Sequence, residues 1–477
     1  MSNLSDLLPA GAGGKQVNFV ASGTLSSGVT VALKSNGQVE AVAGIVSSVG
    51  AKSAFNSATA NYNVATYDSN SNKVVIAYAN DATGYYGTAV VGTVSGTSIS
   101  FGTPVVFESA VASETSATFD SNSNKVVIAY SDHGNSYYGT SIVGTVSGTS
   151  ISFGTAVVFE SAASTNIGST FDSTNNKIVV AYRDGGNSDY GTAIVGTVSS
   201  TSISFGTPVV FETADTRETA LAFDVSNSKV VIAYGDSGNS DYGTAIVGTV
   251  SGTSISFGTA VVFNAAGTGE ETATYDSNSN KIVITYKDSG NSSAGTAIVG
   301  TVSGTSISFG TAAVFNVGGS SYASATFDST NNKVVVVYND PSNSQFGATI
   351  VGTVSGTSIS FEAEIVFNAT VTYYTAATYD STNNKVVIGF RDAAGVPGSG
   401  VAVTLTVGST NNTSFLGITD AAISSAASGS VTIKGGISSN VSSLTPNATY
   451  YVQDDGTLST TSSTVLAGRA LSSTSIN

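Results

Sequence analysis

The sequence predicts an all-β protein, a seven-bladed β-propeller inserted in a small β domain. Three observations predict it. A phrase of the form YDSNSNKVVIAY recurs seven times at an interval of 52 residues, beginning at Tyr67, Phe119, Phe171, Phe223, Tyr275, Phe327 and Tyr379, without insertion or deletion. That period is too long for helical solenoid units and suits a propeller blade when strand-like runs fill it. The composition agrees: 10% charged residues, no cysteine, no tryptophan, and an abundance of Gly, Ser, Thr, Asn, Ala and Val. Such a chain lacks the best helix formers and favours short strands joined by tight turns. Finally, the array is incomplete at its two ends in complementary ways, as the order of elements makes plain.

Residues 1–14 read as a flexible N-terminal segment. Residues 15–45 alternate apolar with polar positions in QVNFVASGTL and GVTVALKSNGQVEAV, with a hairpin turn at Asn36-Gly37, and predict the first half of the small β domain. The propeller is expected over residues 46–408. Its unit is typified by residues 115–159: TSATFD, a polar SNSN turn, KVVIAY, a Gly/Asn/Ser loop, TSIVGTVS, an SGTS turn and ISFGTAVVF, which together make four antiparallel strands. The second strand is nearly continuous in Val and Ile, the pattern of burial on both faces. Pro104 and Pro208 fall in fourth strands, where an outer edge tolerates a missing ladder donor.

The seventh copy supplies three strands and then loses the pattern. Fifty-two residues before FGTPVVFESA at Phe101 stands VGAKSAFNSA at Val49, with Gly50, Phe55 and Ser57 beneath Gly102, Phe107 and Ser109. Residues 46–56 therefore read as an orphan fourth strand that completes blade seven and closes the ring. The flanks leave and re-enter at one junction, so residues 409–477 are expected to complete the small domain, with a second hairpin turn at Asp455-Gly456.

Two of the four connections per blade repeat monotonously, as DSNSN or DSTNN and as SGTS. The other two, between the second and third strands and between one blade and the next, vary at constant length, and a face that varies over a copied scaffold is the one with individual contacts to make. The candidate ligand-binding residues on it are Tyr62, Tyr85, Tyr86, Tyr137, Tyr138, Arg183, Asp189, Tyr190, Arg217, Tyr242, Tyr322, Tyr373, Tyr374 and Arg391. Tyrosine offers a flat apolar body with a polar tip, suited to sugar rings or a protein partner.

Other chemistry is less favoured. The repeated turn exemplified by Asp120, Asn122 and Asn124 resembles an oxygen-rich calcium loop, but one carboxylate per turn suits Asx hydrogen bonds, with each Asp facing a Lys such as Lys125. Asp132, Asp184, Asp236, Asp288, Asp340 and Asp392 follow the second strands in a pattern loosely similar to the Asp-box of sialidases. The spacing differs and the tryptophan is missing, so a structural turn is the expectation. Glu218, Glu270, Glu271, Asp189 and Asp241 are acids on the variable face, yet nothing in the sequence pairs them as glycoside hydrolysis requires. His133 stands alone. No enzyme activity, metal or cofactor is expected.

The net charge of −15 opposes contact with nucleic-acid phosphates or anionic lipid. The opening MSNLSDLLPAGAGGKQ has neither the basic nor the apolar stretch of a secretory signal, and no run reaches membrane-spanning length. A soluble protein is expected.

The flanks, notably LLPAGAGGKQVNFVASGTLSSGVTVALKSNGQVEAV and TYYVQDDGTLSTT, resemble structural proteins of tailed bacteriophages, of the tail-fibre or capsid-decoration type of marine and cyanobacterial phages. The resemblance covers roughly the terminal hundred residues and implies an attachment module on a virion surface, partnered by other virion proteins. The reading is then a non-enzymatic, tail-fibre-like adhesin, expected to be a homo-oligomer, whose propeller meets a host-surface glycan or protein. The alternatives are a decoration protein on the phage head and a secreted glycan-active propeller enzyme.

Overall fold

The computed structural model describes residues 15–477 apart from 395–397, 411, 454 and 464. The expected flexible segment at residues 1–14 lies outside the described residues. The chain divides into two compact units, Ser48–Val407 and the segments on either side of it, which end at Ser47 and resume at Gly408.

The larger unit is all-β, with a four-stranded antiparallel sheet repeated along the chain. In the second repeat, Lys125–Asp132, Tyr138–Ser147 and Ser150–Phe153 follow the long strand Val105–Asp120. The registers Asp120↔Lys125, Val126↔Gly144 and Ser147↔Ser150 join them in order. The long strand serves two sheets. Its first half pairs with the third strand of the preceding repeat at Val105↔Ala89, and its second half pairs within its own repeat at Ala112↔Asp132.

The variable stretches expected as loops between blades are therefore mostly strand. Val105–Asp120, Val157–Asp172, Val209–Asp224, Val261–Asp276 and Ile365–Asp380 each run unbroken for 16 residues. Their constant length follows from the ladders, because every backbone polar group there must meet a partner in one sheet or the next. Val317, Gly318 and Gly319 interrupt the equivalent strand between Asn316 and Ser321.

Burial matches the apolar runs. Val126, Val127, Ile128, Ala129 and Tyr130 have no exposed surface, as do their counterparts in other repeats. Pro104 falls in the short break between Ser98–Phe101 and Val105, where no ladder donor is needed. The same break brings Gly102 against the turn of the next repeat: a Cβ there would lie 1.8 Å from the Thr149 carbonyl oxygen. Gly50, Gly154, Gly206, Gly258 and Gly310 make the equivalent approach to Thr97, Thr201, Thr253, Thr305 and Thr357. The series ends at Glu362. The seventh repeat has no such turn, so a side chain fits, and Glu362 pairs with Lys333 at 2.9 Å.

Each second strand ends in a buried tyrosine, replaced in the last repeat by Phe390. The Tyr130, Tyr182 and Tyr234 hydroxyls donate to Glu108, Glu160 and Glu212 at 3.1, 3.1 and 3.2 Å, whereas the Tyr78 hydroxyl is buried without a partner. Tyr78→Phe is accordingly expected to be neutral or stabilising, while Tyr130→Phe costs about 1 kcal/mol. Paired chemical denaturations check this, and equal losses would contradict it.

The turn aspartates close their own turns rather than answering the neighbouring lysines. Asp120 Oδ1 accepts from the amides of Asn122 and Ser123 at 2.9 and 3.0 Å, and its Oδ2 accepts from Ser123 Oγ at 2.7 Å. Both oxygens are used locally, so Asp120 and Lys125 meet as backbone partners only.

Contacts also join the first and seventh repeats. Ser53–Asn56 pairs with Ser399–Thr406 at Val401↔Ala54, and Phe55 lies over Gly400, where a Cβ would be 2.4 Å from its ring. The Tyr67 hydroxyl donates to Thr382 Oγ1 at 2.7 Å.

In the smaller unit the two flanks interleave. Gln16–Val20, Ser428–Ile433, Phe415–Thr419, Thr30–Leu33 and Val39–Ala41 form one five-stranded sheet in that order, and a second sheet gathers Leu458–Ser459, Thr449–Val452, Leu466–Ser472 and Ser475–Ile476. Val31, Val39, Val431 and Val452 are fully buried in it. Gly37 and Gly456 turn with φ of 80° and 82°, a conformation glycine adopts without strain.

Candidate functional site

In every repeat the ladder between the first and second strands carries one register shift, between residues such as Ser113 and Ser116. It recurs at the same phase in all seven copies. Inside each bulge sits one residue with a left-handed backbone: Tyr62, Glu114, Asn166, Glu218, Glu270, Tyr322 and Tyr374, with φ from 46° to 54°. None is glycine, and a side chain in that conformation costs roughly 1–2 kcal/mol. A bulge re-aims the side chain it contains. Here it turns seven equivalent side chains towards one another.

The contacts run from repeat to repeat. The Tyr62 and Tyr374 rings are 5.2 Å apart between centroids, and Tyr374 and Tyr322 are 4.9 Å apart. Glu114 Oε2 accepts from the Asn166 amide at 3.1 Å, and backbone donors of Tyr322 and Ala323 serve Glu270. Neighbouring repeats also hold each other's bulge carbonyls. Asn63 Nδ2 donates to the Tyr374 oxygen at 3.1 Å, and the Thr219 and Thr375 hydroxyls donate to the Asn166 and Tyr322 oxygens. The cluster therefore has an aromatic lobe, Tyr322, Tyr374 and Tyr62, and an acid and amide lobe, Glu114, Asn166, Glu218 and Glu270.

Electrostatics in the acid lobe depart far from water. Burial, reinforced by the Glu114 and Glu270 charges, pushes the Glu218 carboxyl up to about 7. Glu271, beside the bulge, is pushed up to about 8, first by burial and then by Glu218 and Glu270, against a lowering hydrogen bond from Thr268. Glu114 and Glu270 are raised by burial as well, opposed by the Asn166 amide and by Lys287 respectively. Glu218 remains reachable by solvent. Burial and mutual charge thus favour proton uptake throughout the lobe, and a carboxyl there donates a hydrogen bond when protonated and accepts one when ionised.

Of the residues singled out from sequence, five belong here. Tyr62, Tyr322 and Tyr374 are bulge residues. Tyr373 meets Tyr322 edge-on at 5.7 Å and carries the Arg391 guanidinium 5.1 Å from its ring centre, while Arg391 also donates to Asn61 Oδ1 at 3.1 Å. The others are engaged elsewhere. Arg183 pairs with Asp189 at 2.9 Å and with Asp215 at 2.6 Å, and Arg217 pairs with Asp241 at 3.3 Å. Tyr86, Tyr138, Tyr190 and Tyr242 open third strands as ladder partners of Asn80, Asp132, Asp184 and Asp236. Tyr85 and Tyr137 are exposed loop residues, and Tyr137 packs on His133 at 4.3 Å.

Glu114 and Asn166 escaped the sequence reading, and Glu218, Glu270 and Glu271 stood there as unpaired acids. The signal existed: all but Glu271 share the 52-residue phase of Tyr62. Among the aspartates after the second strands, Asp132, Asp288 and Asp340 cap short 3-10 turns through their side chains, and Asp184 Oδ1 accepts from the Gly186 amide at 2.9 Å in an ordinary turn. Among the described residues no group of three or more His, Asp or Glu side chains is arranged to hold a metal ion.

No protein-family model matches the chain, and no curated protein matches it by sequence. Solved structures do. The BP39L lectin of Burkholderia pseudomallei is 10% identical with a TM-score of 0.54, over 73% of this chain and 96% of the lectin. A leech intramolecular trans-sialidase is 7% identical with a TM-score of 0.43, over 72% of this chain and 67% of its own. Trypanosoma rangeli sialidase is 12% identical with a TM-score of 0.40, over 83% and 60%. At such identities the likeness to the lectin is one of fold, the propeller type.

Two expectations are corrected. The reading as a virion adhesin gives way, because the fold match is to a bacterial lectin. The expectation of no enzyme activity rested on acids that nothing paired. The fold brings Glu114, Glu218, Glu270 and Glu271 into mutual electrostatic contact.

Proposed function

We propose that the chain is a carbohydrate-binding propeller of seven blades, closed by the two short N-terminal strands Ser48–Val49 and Ser53–Asn56, with its site at the bulge cluster. One observation carries this reading: seven strained, equivalent residues set three tyrosine rings beside carboxyls and an amide. Flat apolar faces next to donors and acceptors match the two sides of a pyranose ring, one lined by C–H groups and the other by hydroxyls. The lectin fold match supports it. A glycan array with the full chain should give discrete hits, and Tyr374→Ala with Tyr322→Ala should weaken them at least tenfold. A blank array, or hits indifferent to both substitutions, would refute it.

A second reading has its own observation. Glu218, whose carboxyl is pushed up to about 7 by burial and by the Glu114 and Glu270 charges, lies within electrostatic reach of two further acids, the kind of grouping from which a glycosidase draws a general acid and its partner. Chromogenic glycosides of the array hits test it: turnover lost in Glu218→Gln supports hydrolysis, and binding without turnover leaves recognition alone. That the smaller unit derives from a phage virion module is a separate proposal, resting on the resemblance of the two flanking segments, above all TYYVQDDGTLS at residues 449–459.

A further inference from the structure

The charge of this protein is unevenly placed. At the end of the larger unit that carries the repeated Asp turns, seven lysines from Lys73 to Lys385 offset seven aspartates from Asp68 to Asp380. Most of the net −15 therefore falls at the opposite ends of the strands, where the bulge cluster lies. Within the cluster the carboxyls are short of partners. Glu271 Oε2 and Glu270 Oε2 are buried and accept no hydrogen bond, although both residues keep part of their surface exposed. The nearby cations are committed or peripheral. Arg391 stacks on Tyr373 at the aromatic side, Arg217 pairs with Asp241, and Lys287 acts on Glu270.

An anionic sugar entering this site meets like charge at close range. A neutral sugar leaves the repulsion among the acids unrelieved. An ammonium group satisfies the unpartnered oxygens, offsets the charge, and finds the faces of Tyr62, Tyr322 and Tyr374 as further attractors. A bare metal ion suits the site less well, since the described acids do not converge as ligands.

We propose that the bulge cluster recognises a cationic group, the free ammonium of an amino sugar, with Glu218 as its solvent-reachable anchor and Glu270 and Glu271 behind it. The sugar part rests on the carbohydrate reading above; the cation part does not. Glycans ending in carboxylated sugars are excluded by the same charges.

Calorimetric titration at neutral pH and low salt with three probes tests this: a fully deacetylated β-1,4-glucosamine hexamer, its N-acetylated counterpart, and spermidine. The deacetylated hexamer should bind at least tenfold more tightly than the acetylated one, and Glu218→Gln, checked for an unchanged melting profile, should abolish the preference. Binding of spermidine alone, sensitive to Glu218→Gln, upholds the cation site and removes the sugar. Equal affinity for both hexamers, or preference for the acetylated form, overturns the proposal while leaving carbohydrate recognition standing. Silence of all three probes also overturns it.

Discussion

Glu271→Gln is expected to flatten the pH dependence of stability between about pH 4.5 and 8. A glutamate in the unfolded chain titrates near 4.3, whereas burial holds Glu271 up to about 8 in the folded protein. The folded state therefore binds the proton more tightly. Its contribution is complete below the unfolded value and is lost as pH rises towards the folded one. At about 1.4 kcal/mol per pH unit across that window, the loss is on the order of 5 kcal/mol. Glutamine keeps the shape without the ionisation, so the variant should match the parent near pH 5 and exceed it near pH 8.5. Denaturant midpoints at the two pH values give the answer, with Glu362→Gln on the opposite end as control. Parallel slopes for parent and Glu271→Gln would show that Glu271 titrates normally.

Phe55→Ala is expected to cost about 3–5 kcal/mol and to loosen one seam selectively. Phe55 is 5% exposed, lies 5.1 Å from the Tyr78 ring and 5.6 Å from the Phe101 ring, and covers Gly400. It belongs to the strand that the N-terminal segment lends to the seventh repeat. Hydrogen exchange should accelerate over Ser399–Thr406 in this variant, whereas Phe159→Ala, the equivalent change inside the array, should act on Tyr138–Ser147. Gly50→Val should resemble Phe55→Ala, because its Cβ would sit 1.9 Å from the Thr97 carbonyl oxygen. If Ser399–Thr406 keeps its protection in both variants, the lent strand does not seal the proposed ring.

The repeat period carried most of the architecture into plain view. A 52-residue interval held without a gap, strands punctuated by Asp-Asn turns and SGTS, and a displaced fourth strand at Val49 are all properties of adjacent or equally spaced residues. The stretches between repeats were harder. Their variability looks like loop sequence, and only the two ladders that share Val105–Asp120 make it a strand. Exposed tyrosines were likewise legible as a class but not by role, since Tyr86 and Tyr62 differ only in whether a ladder or a bulge holds them.

By itself the sequence determined the repeat, its strands and turns, the absence of disulfides, and the strongly acidic balance, because periodicity, turn chemistry and composition act locally or in sum. Only the tertiary structure decided which acids meet. Glu218 stands 104 residues after Glu114 and 52 before Glu270, and its carboxyl feels both of theirs because equivalent bulges bring them to common ground. Burial and mutual charge, which set their protonation, exist only once that convergence has occurred.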